Sequence, residues 1–398
     1  MRSEFRNWSG SLSFTPSARV SPANEEELVH VIRQAARAGE TVRVVGAGHS
    51  SMPLVETADV LVSLDRMKGI VSHDPSTGRT TIRTGMNLGE AGKEFLGLGF
   101  AMHNLGDVDM QMVVGAVGTG THGTGRRLPI LSAALSGVRA VTATGDVVEW
   151  RESDDPDLLE AARVSLGVLG IFTEITLDLV PTYRLRRTEW CTHTDECLAH
   201  LDELVERNRN FDFYWYPRSD EVQLRLLNPP GDGMQDVPYA RLVSDEEGWS
   251  SEVLARYRDL RFDEMEYAMP AAAAPRCFLE VRDRIRQRHR KTVGWRVLYR
   301  TVAADNAFLS SSYHKETVSI SLHQNSGLAY EEFFNDIEPI FRAYGGIPHW
   351  GKKHNLLARQ LEPLYPQWGR FLAIRRQLDP DGILLNPYLR SLLGVESG

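Results

Sequence analysis

Cysteine is scarce in this chain, with only Cys191, Cys197 and Cys277 among 398 residues. No two of them stand at a metal-site spacing with histidines nearby, so neither a disulfide framework nor a metal centre is expected, and a reducing compartment fits. Excess positive charge is also absent. The formal net charge is −8, which argues against nucleic acid or an anionic membrane as partner, because both call for clustered cations. Long apolar runs are missing as well: none approaches the ~18 residues of a membrane helix. The stretch from Met1 to Ser13 holds no apolar core of signal-peptide length. The expectation is a cytoplasmic enzyme that binds no metal, no membrane and no nucleic acid.

What is present is an ordinary globular composition, 42% hydrophobic and 25% charged, on a chain long enough for two cores. Asn24 with Glu27 three residues on is a capping-box pattern, and Leu28, Val29, Ile32 and Ala36 recur at helical spacing up to Gly39. Thr41 to Val45 reads as a strand that runs into Gly46-Ala47-Gly48-His49-Ser50-Ser51. Further strands are expected at Val60 to Leu64, Thr80 to Thr84, Val138 to Thr142, Val147 to Trp150 and Ile171 to Val180, with a helix starting at Asp155-Pro156. Together they make an α+β unit of roughly 180 residues. Beyond Pro181 the texture changes to aromatic-rich strands (Phe211 to Tyr216, Trp295 to Arg300, Val318 to Gln324) and a charged helical stretch near Ser250 to Arg261. A second α+β domain on an antiparallel sheet is expected there. The tail from Gly345 is dense in Trp, His, Lys and Tyr and is expected to dock back on the first domain.

Two glycine segments carry the chemistry. Gly46 to Ser51 follows a strand, and its glycines let backbone N–H groups converge on an anion. The second, Gly115-Ala116-Val117-Gly118-Thr119-Gly120-Thr121-His122-Gly123-Thr124-Gly125, formally contains a dinucleotide fingerprint. Arg126-Arg127-Leu128-Pro129 follows it, which cannot open a helix, and the segment lies deep in the domain, so a Rossmann fold is rejected. A backbone lying flat against a ligand, with threonine hydroxyls for phosphate oxygens, remains the reading.

Val44 to Ser50 resembles the flavin-attachment segment of the aldonolactone oxidoreductases, a family of the vanillyl-alcohol-oxidase fold group that includes L-gulono-1,4-lactone and D-arabinono-1,4-lactone oxidases and, more distantly, alditol oxidases. His103-Asn104-Leu105-Gly106, Gly118 to Gly123 and Ala161 to Gly170 are similar to further cofactor segments. Pro348 to His354 and Leu378 to Leu389 resemble the C-terminal signature. The resemblance implies a two-domain α+β flavoprotein: an FAD-binding domain over 1–183, a substrate (cap) domain over 184–344, and a C-terminal segment, 345–398, returning to the first. It implies FAD bonded covalently through His49. The other expected cofactor contacts are Gly46, Ala47, Gly48, Ser50, Ser51, Gly106, Gly115, Gly118, Thr119, Gly120, Thr121, His122, Gly123, Gly170, Ile171, Asn386 and Tyr388. For His122 a purely structural role is an equal alternative.

Oxidation of a carbinol by flavin calls for hydride delivery, loss of the hydroxyl proton and stabilisation of growing charge. By the same resemblance Arg300 and Lys352 supply the cations, and His323 is a third candidate facing the cavity. Either Lys352 or a neutral histidine accepts the proton. One departure stands out: related lactone and alditol oxidases carry Glu-x-Arg where this chain has Leu298-Tyr299-Arg300, which leaves hydroxyl recognition open. Gly106 stands where cytochrome-linked members have alanine, so dioxygen is the expected acceptor, giving peroxide, with a dehydrogenase as alternative. The substrate expected is an aldono-1,4-lactone; an alditol or other polyol, or a flavoprotein that binds without turnover, are the competing readings.

Overall fold

A computed structural model describes residues 4–256 and 259–396. The helix Glu25–Ala38 forms because Leu28, Ile32 and Ala35 make one buried stripe, the spacing of an amphipathic helix. Asn24 caps it by accepting the Glu27 N–H, and Gly39 ends it in the left-handed conformation. The Glu27 carboxylate reaches past the cap to the Ala23 N–H. This helix crosses between the outer strands of a three-stranded parallel sheet, in the order Ala18–Val20, Val60–Ser63, Val42–Val45. The tail closes the same layer: Val42 N–H donates to the Ile383 carbonyl at 2.8 Å, and Ile383 and Leu384 pack with Leu28 and Ile32.

Beside it lies a five-stranded antiparallel sheet, ordered Val147–Arg151, Leu135–Val141, Ile171–Asp178, Arg79–Arg83, Ile70–His73. The third sheet is the largest. Its eight antiparallel strands run Arg241–Trp249, Arg184–His193, Glu221–Asn228, Asn210–Tyr216, Val297–Val302, Thr317–Asn325, Phe262–Pro270 and Ile347–Pro348. Helices Ala274–Arg284 and Glu331–Ala343 cover one face, with Met265, Tyr267, Val297, Tyr299, Ile320 and Leu322 packed against Phe278 and Phe341 in a common core. Side chains alternate across a strand, so Glu264, Glu266, Leu298, Arg300, Ser321 and His323 point the other way. That face is buried too, and its polar character sets the site. Among the described residues no helix is long and apolar enough to cross a membrane.

Two expectations need correcting. The charged stretch from Ser250 to Arg261 is helical only over Ser250–Val253. Leu254 and Ala255 turn inward to be buried and Arg256 N–H bonds the Asp107 carbonyl at 3.0 Å, so the chain leaves the helical path; residues 257 and 258 lie outside those described. The second glycine segment is not flat throughout. Its start belongs to a short helix, Val113–Gly118, because Val113, Ala116 and Val117 bury one helical face.

Candidate active site

Two cavities meet in the molecule. The first, about 1090 Å³ counted out to its mouth, runs past the ends of the parallel strands and is lined by Val44 to Ser50, Ser63 to Asp65, Thr84, Gly85, Met112, Gly115, Gly118, Thr119, Ser165 to Gly167 and Gly170. Glycine is required here for space. A methyl group at Gly85 would lie 2.1 Å from the Leu64 carbonyl oxygen, and one at Gly46 2.8 Å from Met112 Cγ. Gly48 holds φ +68°, a conformation costly for a residue with a Cβ. Among the described residues, the N–H groups of Ala47, Gly48, His49 and Ser50 have no protein acceptor and stand on an open to half-buried stretch of the groove wall. Arg43 ties the floor: it is 1% exposed and donates to the carbonyls of Leu54, Leu166, Gly167 and Leu384. Burial draws its pKa down to about 10. A long groove walled by glycine, with free N–H donors and the Thr119 and Ser165 hydroxyls, fits a dinucleotide such as FAD.

The second cavity, about 760 Å³ to its mouth, shares His49 and Gln111 with the first. Strand register assembles its wall. Glu264 pairs across to His323 and Glu266 to Ser321; Leu298 faces Ser321 and Arg300 faces Ser319. The tail adds His349 and Lys352, and the 100s loop adds Gly106 and Asp107. Lys352 Nζ makes a short hydrogen bond to Glu264 Oε2. His122 is fixed at both nitrogens, Nδ1 to the Gly123 carbonyl at 2.8 Å and Nε2 to Glu266 Oε1 at 2.7 Å. Ser321 Oγ donates to Glu266 Oε2 at 2.7 Å. Arg300 Nη2 donates to Asp107 Oδ2 at 2.7 Å, and Arg225 bridges Asp107 and Asp212 behind it. His49 stacks on Trp8, with centroids 4.9 Å apart.

These pairings set the protonation states. Burial, the largest influence, pushes the Glu264 carboxyl up, but the charge and hydrogen bond of Lys352 together with the neighbouring His323 hold it below the usual range. Burial is likewise the largest influence on Glu266 and raises it, and His122, His349 and Lys352 together take it well below. Lys352, which burial alone would lower, is raised by Glu264 and Glu266 and stays a cation. Burial takes His323 and His349 down to about 4; burial and the Lys352 charge do the same for His49. His323 Nδ1 lies 3.0 Å from the Arg296 carbonyl, which only accepts, so this nitrogen carries the proton. The neutral ring therefore presents Nε2 as an acceptor, 3.5 Å from Glu264 Oε1, a carboxylate that would stabilise a proton taken up there. His349 is the reverse: its Nδ1 accepts from the Gly351 N–H at 3.0 Å.

The cavities bring together most residues expected from the sequence. Gly46, Ala47, Gly48, His49, Ser50, Gly115, Gly118, Thr119 and Gly170 line the first. Ser51, Gly106, Thr121, His122, Arg300, His323 and Lys352 line the second. Five do not reach either wall. Ile171 is buried in the core against the parallel sheet. Asn386 caps the helix Pro387–Leu393 and donates to the Pro53 and Glu56 carbonyls, so its amide is spent on the scaffold. Gly123 allows a tight chain crossing, since a Cβ there would lie 2.3 Å from the Leu105 carbonyl oxygen. Gly120 supplies a turn at φ +73°, and Tyr388 packs against the core. The sequence reading missed Asp107, Gln111, Glu264, Glu266, Arg296 and His349. The alternation Glu264-Met265-Glu266 was the one available signal, two carboxylates on one strand face.

A family model described as D-arabinono-1,4-lactone oxidase matches residues 175–236 and 234–392, and one described as FAD binding domain matches 16–151. An L-gulono-1,4-lactone dehydrogenase of Mycobacterium tuberculosis is 36% identical, covering 98% of both chains. An L-gulonolactone oxidase of Bos taurus is 26% identical over the same shares. Among solved structures, cholesterol oxidase from B. sterolicum superposes with a TM-score of 0.86 at 17% identity, covering 99% of this chain and 97% of that one. Xylooligosaccharide oxidase from Myceliophthora thermophila C1 reaches 0.80 at 18% identity, covering 99% and 94%. These structural likenesses establish the two-domain vanillyl-alcohol-oxidase-type fold.

Proposed function

Because the chain belongs to the D-arabinono-1,4-lactone oxidase family, and is thus an FAD-linked oxidoreductase acting on CH–OH groups, we propose that it oxidises a sugar-derived carbinol, with aldono-1,4-lactones as first candidates. We take residues 1–183 as the FAD-binding domain, 184–344 as the cap and 345–398 as a segment returning to the first. The observation that supports this reading is the meeting of a glycine-walled groove and a cation-bearing cavity at His49. Bound FAD supplies the hydride acceptor. The N–H groups of Ala47 to Ser50 would hold its diphosphate, and His49, whose imidazole stays neutral, is the proposed point of covalent attachment.

In the second cavity Arg300 and Lys352 meet the substrate oxygen on which negative charge grows. Arg300 is buried and Lys352 half-buried, and both are already oriented by carboxylates, so they need little reorganisation. Asp107 holds Arg300 in place of the carboxylate that Leu298 lacks. His323 Nε2 receives the hydroxyl proton, a role suited to an imidazole that stays neutral and has its tautomer fixed. Glu264 and Glu266 keep Lys352 and His122 in position.

Dioxygen is the proposed electron acceptor. Gly106 lines the cavity, and a methyl group there would touch the His122 carbonyl oxygen at 3.3 Å, narrowing the approach. The Mycobacterium tuberculosis relative is named a dehydrogenase, which favours a second reading with another acceptor. A screen of lactones and alditols tests both. Anaerobic bleaching of the flavin followed by peroxide release on aeration is expected; bleaching without peroxide rejects dioxygen, and no bleaching rejects the oxidation itself. The tether is checked on the same sample. Acid precipitation should leave the yellow colour in the pellet and the nucleotide mass on the tryptic fragment containing His49. Colour in the supernatant rejects it.

A further inference from the structure

The wall of the second cavity carries one cation more than its carboxylates engage. Asp107 is engaged by Arg300 and Arg225, Glu264 by Lys352, and Glu266 by His122. Arg296 lines the same wall and has no carboxylate partner among the described residues. Aromatic faces hold it instead: its guanidinium carbon lies 3.4 Å from the centroid of the Tyr214 ring and 4.4 Å from that of Trp295. Ring faces engage the flat side of a guanidinium and leave the in-plane N–H fork unspent. The buried Nε of Arg296 indeed has no hydrogen-bond partner, an unusual state for a buried donor. The residue is also fixed relative to the proton acceptor, because its own carbonyl holds His323 Nδ1. Two positions along the strand, Leu298 offers this region only an apolar surface.

A planar fork, pre-aligned on two rings and facing a cavity, matches a carboxylate bidentately. We propose that Arg296 binds a carboxylate carried by the substrate. The carbinol to be oxidised then belongs to a sugar acid anion, a polyol chain or lactone ring bearing a free carboxylate. This rests on the oxidative reading above and moves its substrate class from the neutral aldono-1,4-lactones, whose carboxyl is closed into the ring, to sugar-derived acids that keep a free carboxylate.

The test uses FAD-loaded enzyme and two readouts. Tryptophan fluorescence, reporting on Trp295 beneath the guanidinium, is followed during titration with glutarate, with its neutral dimethyl ester and with inorganic phosphate. A saturable response to glutarate alone is expected. Flavin reduction is then compared for a hexonate and the matching hexitol. Arg296→Gln should lower the acid-to-neutral ratio of kcat/KM about 10- to 100-fold, the loss of one hydrogen bond to a charged group, chiefly through KM of the acid. Arg296→Lys, which keeps the charge, should recover part of that ratio. If both substrates suffer equally in Arg296→Gln, the residue only stacks and the proposal is overturned. A response to phosphate without one to glutarate also overturns it. Should no polyol, lactone or acid bleach the flavin, the oxidative reading fails, while the glutarate titration still decides the carboxylate site.

Discussion

The cofactor groove and the cavity beyond it are built from opposite materials. The groove is a matter of backbone: glycines at 46, 48, 85, 115, 118 and 170 let the main chain approach a ligand, and its free donors are peptide N–H groups. The cavity is a matter of side chains. Its polar contacts join residues as distant in sequence as Lys352 and Glu264, an ion pair, or His122 and Glu266, a hydrogen bond. A backbone site tolerates few changes of shape and is indifferent to charge; a side-chain site tolerates changes of shape better and depends on every charge having its partner. Binding and catalysis should therefore be separable by mutation.

Lys352→Met should separate them most widely. Flavin content should hold while the rate of flavin reduction falls by about 10²–10³-fold, the effect of removing one group that stabilises developing charge. The same change strands Glu264, so the melting temperature should drop; adding Glu264→Gln should recover stability without recovering rate. Equal loss of flavin and rate in the single variant would break the contrast. Gly85→Ala should do the reverse at smaller scale. With a carbonyl oxygen 2.1 Å from the new methyl, the strain is about 1–3 kcal/mol, and the ratio of flavin to protein absorbance should fall while the loaded fraction turns over normally. A slowed loaded fraction would show that the two sites are not independent.

Acid should sharpen the contrast with the smallest effect. His49, His323 and His349, all on the cavity wall, and His354 are each lowered from 6.5 to about 4 by burial. Between those limits the unfolded chain takes up protons that the folded chain refuses. Stability is therefore complete above about pH 6.5 and declines as pH falls toward 4. Thermal midpoints measured from pH 8 to pH 5 should show this decline; a midpoint that rises on acidification would mean that these imidazoles are charged in the folded protein.

The same difference in material explains what could be read in advance. Asn24, Gly39 and the helical spacing of Leu28, Val29, Ile32 and Ala36 announce the first helix locally, although Ala35 rather than Ala36 completes its buried stripe, and Gly46 to Ser51 announces the groove because a glycine's freedom is its own property. Leu298 was visible as a missing glutamate, yet Asp107, which orients Arg300, was not. The Ser250–Val253 helix stops short because Leu254 and Ala255 are claimed by a core that no local pattern reveals. Glu264 and Glu266 sit in a strand buried on both faces, so the choice of which face lines a cavity depends on what packs against each.

By itself, then, the chain's order of residues determined the family, the two-unit α+β design and the glycine groove, because helix caps, strand periodicity and glycine spacing act over a few neighbours. Only tertiary structure decided which charges meet. Lys352 finds Glu264, Arg300 finds Asp107 and Arg296 finds two aromatic rings through strand register and the return of the tail. Coulomb energy depends on distance through space, and distance along the chain does not fix it.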